Sequence, residues 1–225
     1  MVKIRFTAAE LPDIGPLPQA ISALEQDDHS DMLIFWNPRL AFLATPKAGS
    51  SAVEAALEPL ACAAMLRPAA LKHTGLPQWR AHVAPWLGQV AGAPFSSVAL
   101  MREPVDWLRS WYRFRLRDDQ DDPDHVVQGM SFADFARAYA DPGGAVRRQT
   151  GSQTAFLTDG AARVDHIFRY EEMPAFIAWL EDRLGCAIDL PRVNVPPPVE
   201  VGLTPAEETA LRAAMAEDLR LYDSL

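Results

Sequence analysis

A chain of 225 residues, 49% hydrophobic and 23% charged, is long and apolar enough for one globular domain, residues 1–225, with a full core. Its formal net charge of −9 argues against a nucleic-acid binder, which would present a basic face, but leaves room for a local basic pocket around a small anion.

Residues 1–31 are a lead-in with prolines at 12, 16 and 18 and one short helical stretch, Ile21 to Glu25. The opening MVKIRFTAAELPDIG carries early charges and no long apolar run, so no secretory leader is expected, and no run of about 18 apolar residues follows to make a membrane span. Met32 to Trp36 and Leu40 to Ala44 read as strands around an Asn37-Pro38 turn, a hairpin at the sheet edge. From Ser51 the residues Val53, Ala56, Leu57 and Leu60 follow helical spacing. Cys62 and Cys186 form no C-x-x-C pair and are expected to be buried free thiols, which suits a reducing cytoplasm. Ala69 to Lys72 reads as a strand delivering His73 to a loop, and Pro77 to Leu87 as a helix despite Pro85. Ser97 to Met101 is a buried strand, and Pro104 suits the first turn of the helix after it, where its missing N–H costs nothing. Asp118 to Asp124 is an acidic loop. Ser131 with Asp134 three residues on marks a helix start. Val164 to Phe168 is a strand, Pro174 to Leu184 a helix closed by Gly185, and Pro191 to Val201 a proline-rich loop. Thr204, Pro205 and Glu207 open a last helix that runs to Tyr222. Strands alternating with helices predict a three-layer α/β/α sandwich with a mainly parallel central sheet.

Two stretches carry chemistry. In Ala41 to Leu60, an apolar strand turns through Thr45, Pro46, Lys47, Ala48 and Gly49 into a helix that begins with Ser50 and Ser51. The first N–H groups of a helix lack intrahelical partners, and the dipole adds positive charge there. Gly49 lets the backbone approach an anion and Lys47 adds a full charge, which makes a phosphate cradle. The lysine precedes the glycine and the first glycine of the ATP-binding loop is missing, which disfavours Mg-nucleotide binding. In the second stretch Arg102 stands just past a strand and Ser110 lies eight residues on, inside the next helix. Ligands of open α/β sheets bind beyond the strand carboxyl ends, so Arg102 is expected in the same crevice as Lys47. Taken singly, Arg102 and Ser110 read as a strand-end arginine and a helix-surface serine.

Together these stretches resemble the sulfotransferase family that uses 3′-phosphoadenosine 5′-phosphosulfate (PAPS). PKAGSS is similar to its 5′-phosphosulfate loop, and Arg102-Glu103-Pro104 followed by Ser110 to its 3′-phosphate motif. Lys72-His73 is similar to the segment bearing the family's catalytic histidine. QTAFLTDG (153–160), FRYEEM (168–173), VNVPP (193–197) and EDLRLY (217–222) are similar to segments of bacterial, Golgi-type members. The likeness spans about residues 32–222; Ala48 and Ser50-Ser51 replace more usual loop residues. It implies a P-loop-like fold and a transferase, expected in the cytoplasm on the ground of the free thiols and the charged opening. Lys47, Ala48, Gly49, Ser50 and Ser51 would hold the 5′-phosphosulfate, and Arg102 and Ser110 the 3′-phosphate. Lys47 would neutralise charge on the leaving oxygen and His73 would take the acceptor's proton. The acceptor would be a hydroxyl or amine on a small molecule, carbohydrate or lipid, with protein tyrosine also open. A sulfuryl group bears less charge than a phosphoryl group, so no divalent metal is expected. The rivals are a P-loop kinase or other nucleotide-dependent transferase, and a non-catalytic nucleotide- or anion-binding protein with a decayed site.

Secondary candidates have bland readings. His82 is expected on a helix surface or in packing, and His29, His125 and His166 have no partner pattern. Arg113, Arg115 and Arg117 read as a solvated face, Arg147-Arg148 as a surface pair or a basic loop over the 3′-phosphate, and Glu171 and Glu172 as structural. Trp79 and Trp86 are core residues by default, or walls of an acceptor pocket.

Overall fold

Apolar runs without alternation demand strands covered on both faces, and the middle strands of the central sheet are built on such runs. The computed structural model describes residues 32–65, 74–118, 127, 129–191 and 199–225. In chain order, β1 (Met32–Phe35) and β2 (Leu40–Phe42) lead to α1 (Ser50–Leu57), a 3₁₀ turn (Glu58–Leu60) and β3 (Ala63–Met65). Helix α2 runs from Leu76–Gln78 through a π-helical turn, Trp79–Val83, into Ala84–Ala91. Pro85 has no N–H to give the preceding turn, and the Ala84 N–H reaches back to the Trp79 carbonyl instead, widening the helix there. β4 (Ser96–Met101) feeds α3 (Pro104–Asp118), followed by α4 (Phe132–Ala140), α5 (Ala145–Thr150) and α6 (Gln153–Leu157). A small hairpin, β5 (Thr158–Asp159) and β6 (Ala162–Arg163), precedes β7 (His166–Arg169). A 3₁₀ turn (Tyr170–Glu172), α7 (Met173–Leu184), α8 (Pro205–Ala214) and α9 (Ala216–Asp223) complete it.

The five-stranded sheet has the order β3-β1-β2-β4-β7. β1 is antiparallel to both β2 and β3, whereas β2, β4 and β7 are parallel neighbours, so four of the five strands run the same way. Side chains alternate across it. Met32, Ile34, Ala41, Ala99 and Met101 face Leu76, Trp79 and Leu87 of α2. Leu33, Phe35, Phe42, Val98 and Leu100 face Val53 and Leu57 of α1 and Phe176 and Leu180 of α7. The sheet of this α/β protein is mixed, and helices cover both its faces. A third core joins α3, α4 and α8 through Trp107, Tyr112, Phe135, Tyr139 and Leu211, with Met215 just past α8.

Several expectations change here. The β1–β2 hairpin lies one strand in from the edge, because β3 pairs outside it; the run Ala63, Ala64, Met65 has weak strand propensity and gives no local signal. The expected strand at Ala69 to Lys72, and His73 with it, lies outside the described residues. The strand expected at Val164 begins at His166: Val164 donates instead to the Leu157 carbonyl, closing the small hairpin. The last helix breaks at Met215 (φ −101°, ψ 19°). The two capping boxes, Ser131 with Asp134 and Thr204 with Glu207, form as their spacing predicts. Cys62 is exposed and Cys186 half-buried, because the small apolar residues beside Cys62 belong to an edge strand and Cys186 follows the Gly185 helix stop. Among the described residues no helix is long and apolar enough to cross a membrane.

Candidate functional site

Parallel neighbours open their carboxyl ends on one side of a sheet. β2 and β4 are such a pair, with Phe42 opposite Val98. The chain leaves β2 through Leu43, whose N–H still bonds the Val98 carbonyl (2.8 Å), and turns at Thr45, which donates back to Leu43 (3.0 Å). Two side chains from beyond β4 fix the loop. Trp107 Nε1 donates to the Pro46 carbonyl (2.8 Å), and Arg102 Nη1 donates to the Lys47 carbonyl (3.3 Å).

The loop is tight for physical reasons. Ala48 is wholly buried and plugs the turn into the core beneath α1. Lys47 has φ 61° and Gly49 φ 80°. A left-handed lysine is uncommon away from strained functional turns. At Gly49 an added Cβ would sit 2.6 Å from the Tyr170 ring, so glycine is required by space as well as by φ. Among the described residues no side chain caps α1 and none in its first turn is acidic, so its positive end meets no carboxylate from its own first turn. Burial separates the two hydroxyls: Ser50 is only 3% exposed, whereas Ser51 is half-buried.

Arg102 stands where expected, beside the loop. Its Nε and Nη2 both donate to Asp106, one helical turn on in α3, and the guanidinium stacks on Tyr170 at 4.7 Å. Among the described residues three of its N–H groups have acceptors. A guanidinium has five, which leaves two for an anion. Ser110 is half-exposed on α3. The Lys47 ammonium lies over the ring of Phe114, 3.1 Å from its centroid, with Trp111 at 5.5 Å. Phe114 and Ser110 are one turn apart on α3, so the ammonium lies over the helix that also carries Ser110. Lys47, Gly49, Ser51, Arg102 and Ser110 therefore border one sheet end, with Ser50 more deeply buried at the start of α1.

Two neighbours of this site escaped the sequence. Asp106 carried a signal, the i, i+4 spacing from Arg102. Tyr170 lies in FRYEEM, but its approach to Gly49 depends on where β7 lies in the sheet, which no local pattern records. His73 lies outside the described residues, as do His29 and His125. His82 is exposed on α2, and His166 stacks on Trp179 at 4.8 Å. Arg115 is buried rather than solvated: it donates to Gln149 (2.7 Å) and Thr150 (3.3 Å), and burial lowers its affinity for a proton. Arg147 stacks on Tyr139 (4.5 Å) and donates to the Ala214 carbonyl (3.2 Å), and Arg148 donates to the Gly143 carbonyl. Glu171 is structural, accepting from the Glu103 N–H and the Tyr222 hydroxyl, both at 2.9 Å. Trp79 is core and Trp86 is exposed.

Behind Arg102 lies a buried carboxyl. Asp218 of α9 is 2% exposed and accepts from the Thr154 N–H (2.7 Å). Burial is the largest influence and raises its pKa above the ordinary 3.8, against the opposing pull of that bond and of Arg147; Tyr139, raised in turn by burial and by Asp218, faces it from α4. A raised carboxyl pKa means that the folded chain holds the proton more tightly than the unfolded chain. This contribution to stability is fully present below the unfolded value and is lost as pH rises through the folded one. Asp218→Asn keeps an acceptor for Thr154 and removes the charge. Its melting temperature relative to wild type should therefore climb as pH rises from about 3.8 towards neutrality. A difference that stays constant across that range would show that Asp218 does not carry the buried charge.

No family model matches this chain, no curated protein sequence matches it, and no solved structure matches its fold.

Proposed function

We propose that this chain is a PAPS-dependent sulfotransferase whose sheet and helices form a P-loop-like α/β/α sandwich. One observation carries the reading. The guanidinium of Arg102, at the end of β4, bonds the carbonyl of Lys47 in the small-residue loop at the end of the parallel neighbour β2. That contact brings the two segments that resemble the family's 5′- and 3′-phosphate motifs to a single sheet end. The residues present fit a nucleotide with phosphates at both positions. The start of α1 has no acidic residue in its first turn, Gly49 leaves no room for a Cβ, and Arg102 keeps two N–H groups for an anion.

PAPS, when bound, supplies a sulfuryl group that passes to an acceptor hydroxyl or amine, with 3′,5′-ADP as the leaving product. The residues of the chain divide that work. The first turn of α1 and the Ser51 hydroxyl hold the 5′-phosphate. Arg102 and Ser110 hold the 3′-phosphate, which separates this donor from an ordinary adenylate. Lys47 leaves the face of Phe114 to meet charge growing on the bridging oxygen. His73 accepts the proton released by the attacking group and is neutral before it does so.

Calorimetry with 3′,5′-ADP and 5′-AMP, without magnesium, tests the reading. 3′,5′-ADP should bind more tightly, and Arg102→Ala should remove most of the preference, about 1.5–3 kcal/mol for a charge-assisted contact. Equal affinity for the two nucleotides in the wild type would remove the 3′-phosphate assignment and the proposed activity with it.

A further inference from the structure

An extended residue turns its N–H and C=O to the same edge. Where a sheet continues, the next strand takes both. At Met101 the ladder still runs, opposite Arg169 of β7. One residue on, at Arg102, both backbone polar groups bond a single side chain instead of a strand. The Gln153 amide accepts from the Arg102 N–H through Oε1 (2.9 Å) and donates to the Arg102 C=O through Nε2 (2.8 Å). The two bonds fix the orientation of the amide, because the reverse would set donor against donor and acceptor against acceptor. Gln153 is 1% exposed, so either bond, once lost, would leave a buried polar group unmatched.

Gln153 is itself fixed from below. It opens α6, where Ser152 accepts from the Ala155 N–H (3.0 Å) and Asp218 of α9 accepts from the Thr154 N–H (2.7 Å). A line of bonds thus runs from the C-terminal helix through Asp218, α6 and Gln153 to the backbone of Arg102, and through its guanidinium to the Lys47 loop. The fork of Arg102 has to serve Asp106, the Lys47 carbonyl and an anion at once, and a displacement of half an ångström is enough to spoil such geometry.

We propose that Gln153 is the positioning residue of the nucleotide site: by pinning the backbone of Arg102 on both its polar groups, it sets the preference for a 3′-phosphorylated nucleotide without touching the ligand. This rests on the assignment of Arg102 to the 3′-phosphate made above.

The test measures the affinities of 3′,5′-ADP and 5′-AMP by calorimetry on wild type, Gln153→Met and Gln153→Glu, with amide hydrogen exchange at Arg102 on the same samples. Gln153→Met keeps the length and loses both bonds. The ratio of the two affinities should fall by about tenfold, with 5′-AMP binding unchanged and exchange at Arg102 accelerated. Gln153→Glu keeps an acceptor for the Arg102 N–H but sets an oxygen against the Arg102 C=O, so its ratio should fall as well, which keeps the test available where Gln153→Met does not fold. A merely structural role would weaken both nucleotides together. That result, or a wild-type ratio retained in either folded variant, overturns the inference while leaving the sulfotransferase reading intact. A wild type with no preference at all overturns both, and is recognised before any variant is made.

Discussion

Lys47→Ala is expected to slow sulfuryl transfer by about 10²–10³-fold, the usual cost of removing one preorganised donor from a developing negative charge. It should weaken 3′,5′-ADP binding far less. The split follows from what the lysine is proposed to do. Charge on the bridging oxygen grows as the bond to sulfur breaks, so an ammonium aimed there acts on the transition state more than on bound nucleotide. The resting place of Lys47 fits this timing: its ammonium lies on the Phe114 ring, an attraction of order 0.5–2 kcal/mol that a full negative charge can outbid. The loop holding it is fixed through the Pro46 and Lys47 carbonyls, and neither bond involves the Lys47 side chain, so the variant should fold. Turnover is to be measured under single-turnover conditions, beside the calorimetric Kd. Normal turnover with normal binding would make Lys47 a bystander at a strained turn. Equal losses in both would make it a binding residue alone.

His73→Ala is expected to lower kcat by about 10²–10⁴-fold, the span general-base assistance commonly supplies. The residue lies outside the described residues, and the expectation comes from its place in the sequence, after an apolar run and before Gly75 and Pro77, and from its likeness to the family's base. The attacking hydroxyl or amine must lose a proton, and a histidine accepts one only while neutral. Wild-type transfer should therefore decline at pH low enough to protonate that histidine. The variant should lose that limb of the profile while still binding 3′,5′-ADP. A histidine that merely braces the loop would lower stability and nucleotide affinity together and leave the shape of the pH profile alone. Full turnover by folded His73→Ala protein would direct the search to another base. The exposed His82 and the acidic residues would be tried next.

What the sequence by itself determined is local. The unbroken apolar runs at Met32–Phe35 and Val98–Met101 become buried strands, because such runs satisfy their surroundings only inside a sheet with two covered faces. Pro104 opens α3, Ser131 and Thr204 cap α4 and α8, and Gly185 stops α7, each at a spacing fixed by helix geometry within a few residues. The strand, small-residue turn and helix from Leu40 to Leu57 were legible for the same reason.

Only the tertiary structure decided what meets what. Arg102 bonds a carbonyl 55 residues away and an amide 51 residues away. Tyr170 covers Gly49 because β7 lies beside β4, and Lys47 finds Phe114 because α3 crosses the same sheet end. Cys62 stands exposed beside an edge strand, and Arg115 is buried between α3 and the end of α5, although short-range patterns put each the other way. Local patterns record period and turn chemistry, with a reach of about a helical turn. Strand order and the docking of α6 and α9 arise from burying several such pieces at once, and it is that order which brings a glutamine of α6 to hold the arginine at the end of β4.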